Sequence, residues 1–346
     1  MMRNVKDFKV AGRRVLVRCD FNVSLDSQDF IVDDFRIRET LPTVLYLISQ
    51  RAKVILISHL GDPKGSIVPS LALDKVQERL TEYLHCLVKK ATDCIGKEVE
   101  DMARIMAEGE VLLLENVRFH KEEEENKKEF AKKLSLLGDV FINDAFSVSH
   151  RNHASVAGIP QFLPSASGLL LQKEMLALGK FLKNPEHPFL VIVGGKKEDK
   201  LSFIDQISNF ADAVLLGNLL FEEAKKQHVE FKNKEKIIVP VDGGLDIGPE
   251  TVRLFIEKIN NAKSIFWTGP LGNTEQSEYA KGSLLVANAI GERKAYSIAG
   301  GGDLVSFLNV NHLMEKFSYV STGGGATLEF LAGEELPGLK ALGYYE

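Results

Sequence analysis

The sequence has few cysteines and no long hydrophobic run, and both absences exclude classes of protein. Its 346 residues include three cysteines, Cys19, Cys86 and Cys94, and no two of them form a C-x-x-C pair. Because such a set offers no disulfide framework, we expect a reducing compartment. No apolar run approaches the ~18 residues of a membrane span, and the opening stretch MMRNVKDFKVAGRR lacks the apolar core of a signal peptide. Together these absences predict a soluble, cytoplasmic protein.

A large charge of one sign is also lacking. The chain has 43 Lys and Arg against 48 Asp and Glu, which leaves a net charge of −5. A balance of this kind gives no general attraction to nucleic acid. We therefore expect neither a nucleic acid nor a membrane as partner, and any basic site must be local.

Several motifs that mark common enzyme classes are missing. The Walker A pattern G-x-x-x-x-G-K-[ST] is absent, and no G-x-G-x-x-G follows an early strand. H-E-x-x-H, G-x-S-x-G and zinc-ligand spacing of Cys and His are absent as well. These absences argue against a P-loop site, a dinucleotide dehydrogenase, a zinc protease and a serine hydrolase.

The chain does contain short apolar runs that alternate with longer amphipathic segments. Buried strands are predicted from RVLVRCDFNV, KVILISHLG, VLLLENVRF and DVFINDAFSV, and helical spacing runs through RETLPTVLYLISQR and LALDKVQERLTEYLHCLVKK. Strands and helices in alternation predict βαβ units. We therefore expect an α/β fold with mostly parallel sheets.

The pattern starts again after Pro164. The stretch SGLLLQKEMLALGKFLKNP predicts one long helix, ended by Pro185, that suits a connector between two domains. A second series of strands then ends in glycine or polar turns: FLVIVGG, AVLLGN, KIIVPVDGG, SIFWTGPLG, AYSIAGGGD and FSYVSTGGG. The charged stretch KEEEENKKEFAKK is interpreted as the solvated face of a helix.

Glycines recur at the strand ends of the second half, at 194–195, 217, 269–272, 300–302 and 323–325. Ligands of open parallel sheets bind beyond these ends. A glycine turn lets the backbone approach a ligand, and the helix that follows offers free N–H groups and the positive end of its dipole. Tight turns alone would explain one such site, but the recurrence favours phosphate binding.

Charged residues adjoin these glycine turns. Asp303 should lie in the first turn of a helix, where it could cap that helix or hold Mg²⁺ beside phosphates. Lys196, Lys197 and Lys200 follow a glycine pair at a strand end, so they are placed to meet phosphoryl oxygens, although most charge runs are merely surface.

Side chains, not glycines, mark the strand ends of the first half. These residues, with one from the segment after the first strand, are Asp20, Asn22, Arg36, His59, Arg118 and Arg151. The planar fork of arginine suits carboxylate and phosphate, so the group predicts a site for a small polyanion. Taken singly, His59 fits a structural role equally well, and His150 and His153 fit it better.

Taken together, the motifs resemble the phosphoglycerate kinase family over nearly the whole chain. They occur in the family's order: RVLVRCDFNV, SHLGDPKG, LLLENVRFHKEEE, INDAFSVSHRNHAS, LDIGPET, WTGPLGNTE, GGGD and VSTGGGATLE. The resemblance implies reversible transfer of a phosphoryl group between 1,3-bisphosphoglycerate and ADP, giving 3-phosphoglycerate and ATP with Mg²⁺, in glycolysis and gluconeogenesis. It also implies a monomer.

The same resemblance implies two Rossmann-like domains joined by a hinge. It places the phosphoglycerate-binding domain at 1–162, the connecting helix and hinge at 163–184, and the nucleotide-binding domain at 185–320. Residues 321–346 would form a second hinge and a segment that returns to the first domain. Substrates held on separate domains imply closure that excludes water.

Site residues are carried over position by position. The phosphoglycerate site would comprise Asp20, Asn22, Arg36, His59, Arg118 and Arg151. The nucleotide site would comprise Gly195, Lys196, Lys200, Gly217, Pro270, Glu275, Gly302 and Asp303, with Asp303 also on the metal and Glu275 on the ribose. The groups nearest the transfer would be Arg36, Lys196, Lys200, Gly302 and Gly324, since Gly302 and Gly324 begin helices aimed at it.

The chain departs from the family pattern mainly on the nucleotide side. Asp62 stands where arginine is usual, Thr268 where asparagine is usual and Leu304 where threonine is usual. The stretch from Gly194 to Lys200 is one residue short, and the family's spacing favours Lys196 over Lys197 as the partner of Lys200. The adenine loop is a poor match, and the region 224–239 is short.

Two alternatives follow from these departures. One is a related binding protein without catalysis, and the other is a kinase for a different small carboxylate.

Overall fold

The computed structural model describes residues 2–26, 28–183 and 185–345. It divides into two compact units, one formed by Met1–Met175 with Glu335–Glu346 and the other by Leu176–Glu334. The division falls inside the predicted connector 163–184. The last residues of that connector and of the predicted C-terminal segment, Asn184 and Glu346, lie outside the described residues.

The first unit contains a parallel sheet, a small hairpin and surrounding helices. Its strands are β1 (Arg14–Arg18), β2 (Ser24–Leu25), β3 (Ile31–Asp33), β4 (Lys53–Ile57), β5 (Val88–Lys90), β6 (Val111–Leu113), β7 (Val140–Asn143) and β8 (Ser165–Ser167). Its helices are α1 (Phe35–Ser49), α2 (Asp74–Leu84), α3 (Lys97–Ile105), α4 (Lys121–Glu124) and α5 (Lys128–Ser135), and α6 (Leu169–Lys183) runs on into the second unit.

The main sheet of this unit has the order β5-β6-β4-β1-β7-β8, and every pairing in it is parallel. Successive residues of β1 face opposite cores: Val15 and Val17 pack into one hydrophobic cluster, and Leu16 packs into another. Both faces are therefore covered, which explains why the three central residues of the strand are all apolar and do not alternate with polar residues. The β2–β3 hairpin is antiparallel.

The second unit repeats this architecture with its own six-stranded sheet. Its strands are β9 (Phe189–Val193), β10 (Ala213–Leu216), β11 (Ile237–Ile238), β12 (Ser264–Thr268), β13 (Tyr296–Gly300) and β14 (Tyr319–Ser321). Its helices are α7 (Leu201–Phe210), α8 (Asn218–Lys226), α9 (Pro249–Asn261), α10 (Lys281–Gly291), α11 (Gly302–Val310) and α12 (Gly325–Leu331); the short α13 (Pro337–Lys340) belongs to the first unit.

The second sheet has the order β11-β10-β9-β12-β13-β14, again entirely parallel. Numbered within the unit, this is 3-2-1-4-5-6, the order of nucleotide-binding Rossmann folds. The chain reverses direction across the sheet between β9 and β12. A crevice outside the carboxyl ends of these two strands is where such a sheet binds ligands.

The predicted α/β class with mostly parallel sheets is confirmed, as is the long helix before Pro185. One predicted helix was too long. The stretch 71–90 carries helical spacing throughout, but α2 ends at Leu84, and His85 adopts a left-handed conformation with φ of 51°. Val88–Lys90 then pairs with β6, so tertiary pairing overrides the local periodicity. In the described part of the chain, no helix is long and apolar enough to cross a membrane.

Candidate functional site

In the first unit, the loop after β1 brings a buried carboxylate to the carboxyl edge of the sheet. Asp20 forms an ion pair with Arg36, with Nη1 and Oδ2 3.1 Å apart, and accepts a hydrogen bond from the hydroxyl of Ser147. Burial by itself raises the pKa of Asp20, but Arg36, His59 and the hydrogen bonds together bring that pKa well below its ordinary value. Asp20 is therefore a fixed negative charge that orients the cations around it.

Asn22 connects the loops that follow β1 and β4. Its carbonyl oxygen accepts a hydrogen bond from Arg36 at 3.0 Å, and its side-chain oxygen accepts one from the backbone N–H of Gly61 at 2.8 Å. The carbonyl of Gly61 in turn accepts a hydrogen bond from Arg118 at 3.0 Å. The predicted residues Asp20, Asn22, Arg36 and Arg118 thus belong to one bonded group.

His59 follows β4 and is buried beside this group. Its Nδ1 lies 4.0 Å from Oδ1 of Asp20 and 3.3 Å from Nη2 of Arg18. Burial is the largest influence and holds the pKa of His59 well below its ordinary value, although Asp20 acts in the opposite direction. The imidazole is therefore neutral at physiological pH.

Arg151 is the one predicted residue of this set that stays apart. Its side chain is exposed, while its backbone N–H donates to the carbonyl of Val148 at 2.9 Å. Among the described residues, it has no side-chain hydrogen bond to the group around Asp20. An exposed arginine at this edge can still reach a bound anion, because its side chain is long.

Sequence reasoning missed the residues that lie beneath the group. Arg18, at the end of β1, and Glu123, in α4, are both fully buried. Their side chains are linked through Ser155, whose hydroxyl accepts from Nε of Arg18 and donates to Oε1 of Glu123. The interpretation of the stretch KEEEENKKEFAKK as a solvated face was therefore wrong at Glu123. The local sequence gave no signal for it, since Glu123 stands among charged residues and α4 ends one residue after it.

In the second unit, the glycine turns contact one another at the carboxyl edge of the sheet. The backbone N–H of Gly195 donates to the carbonyl of Pro270 at 2.7 Å, and that of Gly194 donates to Thr268 at 2.8 Å. A Cβ added to Gly194 would lie 2.2 Å from the Pro270 carbonyl oxygen, and one added to Gly217 would lie 3.0 Å from the Gly194 Cα. The turns after β9, β10 and β12 therefore form one surface that only glycine permits.

The turns after β13 and β14 meet in the same way. A Cβ on Gly324 would lie 2.7 Å from the Cα of Gly301, and Gly301 itself has a φ of 105°. Gly301 is the N-terminal cap of α11, which begins at Gly302, and Gly324 caps α12. Both helices therefore begin at this edge with uncovered backbone N–H groups.

Lys200 and Asp303 supply charges next to the glycine turns. The ammonium group of Lys200 donates to the carbonyl of Gly194 at 2.7 Å. Burial lowers the pKa of Lys200 from 10.5 to about 8, and Asp303 acts in the opposite direction. Asp303 is exposed in the first turn of α11, and within the described part of the chain its carboxylate accepts no hydrogen bond from a backbone N–H of that helix.

The other predicted residues of the nucleotide side lie at the rim. Lys196 forms an ion pair with Glu275, at 3.2 Å between Nζ and Oε2, and both side chains are mostly exposed. Lys197 is also exposed. Both lysines, Lys196 and Lys197, are exposed. The structure therefore does not decide which of them is the partner of Lys200 in the site.

The positions that depart from the family pattern differ in their surroundings. Leu304 is fully buried in the core of the second unit, so it offers nothing to a ligand. The hydroxyl of Thr268 is buried without a hydrogen-bond partner among the described residues and lies beside Gly301. Asp62 is exposed and forms no ion pair within the described chain, so its charge is not neutralised by a neighbour.

A second cluster of polar groups lies elsewhere in the first unit. Candidate ligand atoms of Asp93, Cys94 and His120 are within 4.8 Å of one another. Oδ1 of Asp93 and Nε2 of His120 are already hydrogen-bonded at 2.7 Å. Two ligands of a tetrahedral zinc ion stand roughly 3.3 Å apart, given bond lengths of about 2 Å. We therefore interpret the cluster as a structural hydrogen-bonded pair.

Comparison with known proteins matches the chain to one family. A family model described as "Phosphoglycerate kinase" matches residues 5–234 and 219–334. The phosphoglycerate kinase of Dictyoglomus turgidum is 44% identical, and that of Pelotomaculum thermopropionicum is 40% identical; each alignment covers 98% of this chain and 98% of the relative.

Solved structures agree with these sequence relatives. Phosphoglycerate kinase from Pyrococcus horikoshii superposes with a TM-score of 0.87 at 29% identity, covering 99% of this chain and 98% of the other. The enzyme from Coxiella burnetii superposes with a TM-score of 0.78 at 30% identity and covers all of both chains.

Proposed function

This chain belongs to the phosphoglycerate kinase family, and from that premise we propose that it transfers a phosphoryl group reversibly between 1,3-bisphosphoglycerate and ADP. The products are 3-phosphoglycerate and ATP. One observation carries the proposal. A group of side chains suited to bind an anion surrounds Asp20, and a surface of glycine turns surrounds Gly194, each at the carboxyl edge of its own parallel sheet.

The first unit is proposed to bind the phosphoglycerate. Arg36 and Arg118 present guanidinium groups, and His59 adds a neutral ring that can donate one hydrogen bond. Asn22 and Asp20 hold these donors in place and contact substrate hydroxyls. Arg151, exposed at the rim, is proposed to bind the distal phosphate. Arginine forks match both the carboxylate and the phosphate of the substrate.

The second unit is proposed to bind the nucleotide. The backbone of Gly195, Gly217 and Pro270 would line the site, and Glu275 would accept hydrogen bonds from the ribose hydroxyls. Lys200 and Lys196 would pair with phosphate oxygens. Gly302 and Gly324 support the proposal because α11 begins at Gly302 and Gly324 caps α12, so the first N–H groups of both helices face the same edge.

Asp303 is the residue that fits Mg²⁺. Its carboxylate is exposed, does not cap α11, and lies close enough to Lys200 to influence its pKa. Proteins commonly hold Mg²⁺ through one or two carboxylates together with substrate phosphates. When bound, the ion would neutralise charge on the phosphates of the nucleotide.

The proposed chemistry needs no general base. The attacking group is a carboxylate, which is already ionised at neutral pH. Catalysis then consists of positioning and of neutralising charge on the phosphoryl oxygens. Arg36, Lys196, Lys200 and the N–H groups at Gly302 and Gly324 would supply that positive field.

Oligomeric state, compartment and domain boundaries are also proposed from membership of the family. We propose that the chain acts as a monomer in the cytoplasm, with domain boundaries near 162, 184 and 320. The cysteines Cys19 and Cys94 are free and buried, which suits a reducing compartment.

A coupled assay with 3-phosphoglycerate, ATP and Mg²⁺ tests the function. We expect the wild type to turn over, and Arg36→Ala and Asp303→Ala each to lose roughly a hundredfold or more in kcat/KM, because each removes a charge aimed at the reaction. Lys226→Ala, on an exposed helix face, serves as the control and should keep wild-type activity. If the wild type is no faster than the Arg36→Ala variant, the proposed enzymatic activity is refuted.

A further inference from the structure

Arg18 is a fully buried arginine whose charge needs compensation. It lies at the end of β1, and its Nη1 donates to the carbonyl of its neighbour Cys19. A buried cation without a counter-charge is strongly unfavourable. The counter-charge that reaches it through hydrogen bonds comes from a distant part of the sequence.

Ser155 and Glu123 provide that compensation. Nε of Arg18 donates to the Ser155 hydroxyl at 2.8 Å, and this hydroxyl donates to Oε1 of Glu123 at 2.5 Å. The other oxygen of Glu123 accepts the backbone N–H of Ser155 at 2.9 Å. Both carboxylate oxygens accept hydrogen bonds, so these bonds and Arg18 favour the ionised form of Glu123, while burial is the larger influence and raises the pKa of Glu123 above its ordinary value. The chain of donors runs in one direction from Arg18 to Glu123.

The far side of the same guanidinium determines the state of His59. Nη2 of Arg18 lies 3.3 Å from Nδ1 of His59. A guanidinium can only donate, so Nδ1 must be the acceptor and cannot carry the proton. In a neutral ring the proton then lies on Nε2. His59 therefore presents an N–H donor on the side away from Arg18.

We propose that Glu123 and Ser155 are positioning residues that, through Arg18, hold His59 as the neutral Nε2–H tautomer. The contact that this tautomer makes with the carboxylate or phosphate of the acceptor rests on the proposed function. When ionised, both of those groups only accept hydrogen bonds, so of the two neutral tautomers only the Nε2–H form, with its donor turned outward, can donate to them. Glu123 itself contacts no substrate in this proposal.

The charged groups around the network favour the same arrangement. Asp20, Arg36 and Arg118 act electrostatically on His59, and the two arginines oppose its protonation. Nδ1 of His153 lies 3.8 Å from Oε1 of Glu123, and burial lowers the pKa of His153 to about 3. His153 is therefore neutral and does not replace Arg18 as the cation that faces Glu123.

Long-range ¹H–¹⁵N correlation spectra of the full-length wild type at pH 7.5 test the tautomer directly. The chain has eight histidines, and a His59→Gln variant identifies the signals of His59. We expect one protonated nitrogen, Nε2, in the wild type. In Glu123→Gln the counter-charge is lost, and we expect the two tautomers to mix. A wild-type ring protonated on Nδ1, or on both nitrogens, would overturn the proposal whatever the Glu123 variant shows.

Calorimetric affinity for 3-phosphoglycerate provides the functional test. Glu123→Gln should weaken binding roughly tenfold or more, the effect of a charge-assisted buried hydrogen bond. Glu123→Asp keeps the charge and should recover part of the loss. Glu125→Gln, from the same charged run but exposed, is the matched control and should bind as the wild type does.

Three outcomes separate this inference from its alternatives. Affinity for ATP and Mg²⁺ should stay unchanged in Glu123→Gln, whereas a general loss of folding would lower both affinities. Unchanged phosphoglycerate affinity in a folded Glu123→Gln variant would refute the positioning role. A wild type without kinase turnover but with His59 as the Nε2–H tautomer would refute the proposed function and leave the inference about Glu123 standing.

Discussion

The two units are built on the same kind of parallel sheet, but they present different chemical groups to an anion. The first uses side chains: Arg36, Arg118 and His59 gather around the buried Asp20. The second uses the main chain, where glycine turns after five successive strands of its sheet contact one another. Side chains reach further than backbone amides, but they must be held in place by other buried charges.

Burial makes the difference plain. The buried acidic, basic and histidine side chains of the described chain are Arg18, Asp20, His59, Glu115, Glu123, Asp144, His153 and Glu174. All of them belong to the first unit. In the described part of the second unit, the buried polar side chains are only Ser, Thr and Asn. A site made from backbone N–H groups requires close approach and no buried counter-charge, because each N–H is neutral.

The largest effect is expected from a methyl group on the main-chain site. In Gly194→Ala, the new Cβ would lie 2.2 Å from the Pro270 carbonyl oxygen, so the turn must move. We expect nucleotide affinity to fall roughly a hundredfold, since overpacking alone costs about 1–3 kcal/mol and the moved amides are lost as donors. Calorimetry with ATP and Mg²⁺ measures this.

The control for that variant is Gly179→Ala in α6, where a Cβ meets nothing within 4 Å. It should keep nucleotide affinity. Phosphoglycerate affinity should be unchanged in Gly194→Ala. If it falls as much as nucleotide affinity does, the proposal that the two units form separate kinds of site is wrong.

A smaller effect is expected from Lys200, a partly buried cation of the main-chain site. With a pKa of about 8, Lys200 is charged below that pH and becomes neutral as the pH rises through it. We expect kcat/KM for the nucleotide to fall by about tenfold per pH unit above pH 8. In Lys200→Arg the charge persists, so the alkaline decrease should disappear even if the overall rate is lower.

The pH profile of kcat/KM, measured for both proteins from pH 6.5 to about 10, provides the test. Lys197→Arg, at an exposed position, is the matched control and should keep the wild-type decrease. If kcat/KM of Lys200→Arg still falls above pH 8, the alkaline decrease is caused by the titration of another group.

The effect with the least consequence for activity concerns a buried charge of the first unit, and it appears in stability alone. Asp144 accepts backbone hydrogen bonds from Leu170 and Leu171 at the start of α6, and burial raises its pKa from 3.8 to about 7. The folded state therefore binds this proton more tightly than the unfolded state does. The stability it contributes is present below pH 4 and is lost as the pH rises to 7, by about 4 kcal/mol at most.

Thermal unfolding at pH 5 and pH 8 checks this sign. Asp144→Asn cannot ionise, so between these pH values the stability difference should move in favour of the variant. Asp62→Asn, at an exposed carboxylate of the same unit, should show no such change. A shift toward the wild type at pH 8 would contradict the direction.

Much of the fold could be predicted, because it depends on local patterns. The strand ends, the glycine turns and the helix before Pro185 all follow from short-range periodicity and turn chemistry. The end of α2 could not be predicted in this way. Val88–Lys90 continues the helical spacing but forms a strand that pairs with β6, more than 20 residues away in sequence. Glu123 was missed for the same kind of reason: its neighbours in sequence are charged, whereas its partner Arg18 lies on β1, far away in the sequence.

By itself, the sequence determined the family, the parallel α/β class and the residue types at each strand end, since these depend on composition, spacing and turns. Only the tertiary structure decided which charges are buried and what they face. Arg18 and Glu123 are separated by more than 100 positions, and their compensation through Ser155 exists only once the sheet and the helices pack around them. Burial depends on contacts that no local stretch of sequence contains, and buried charges respond to it most strongly.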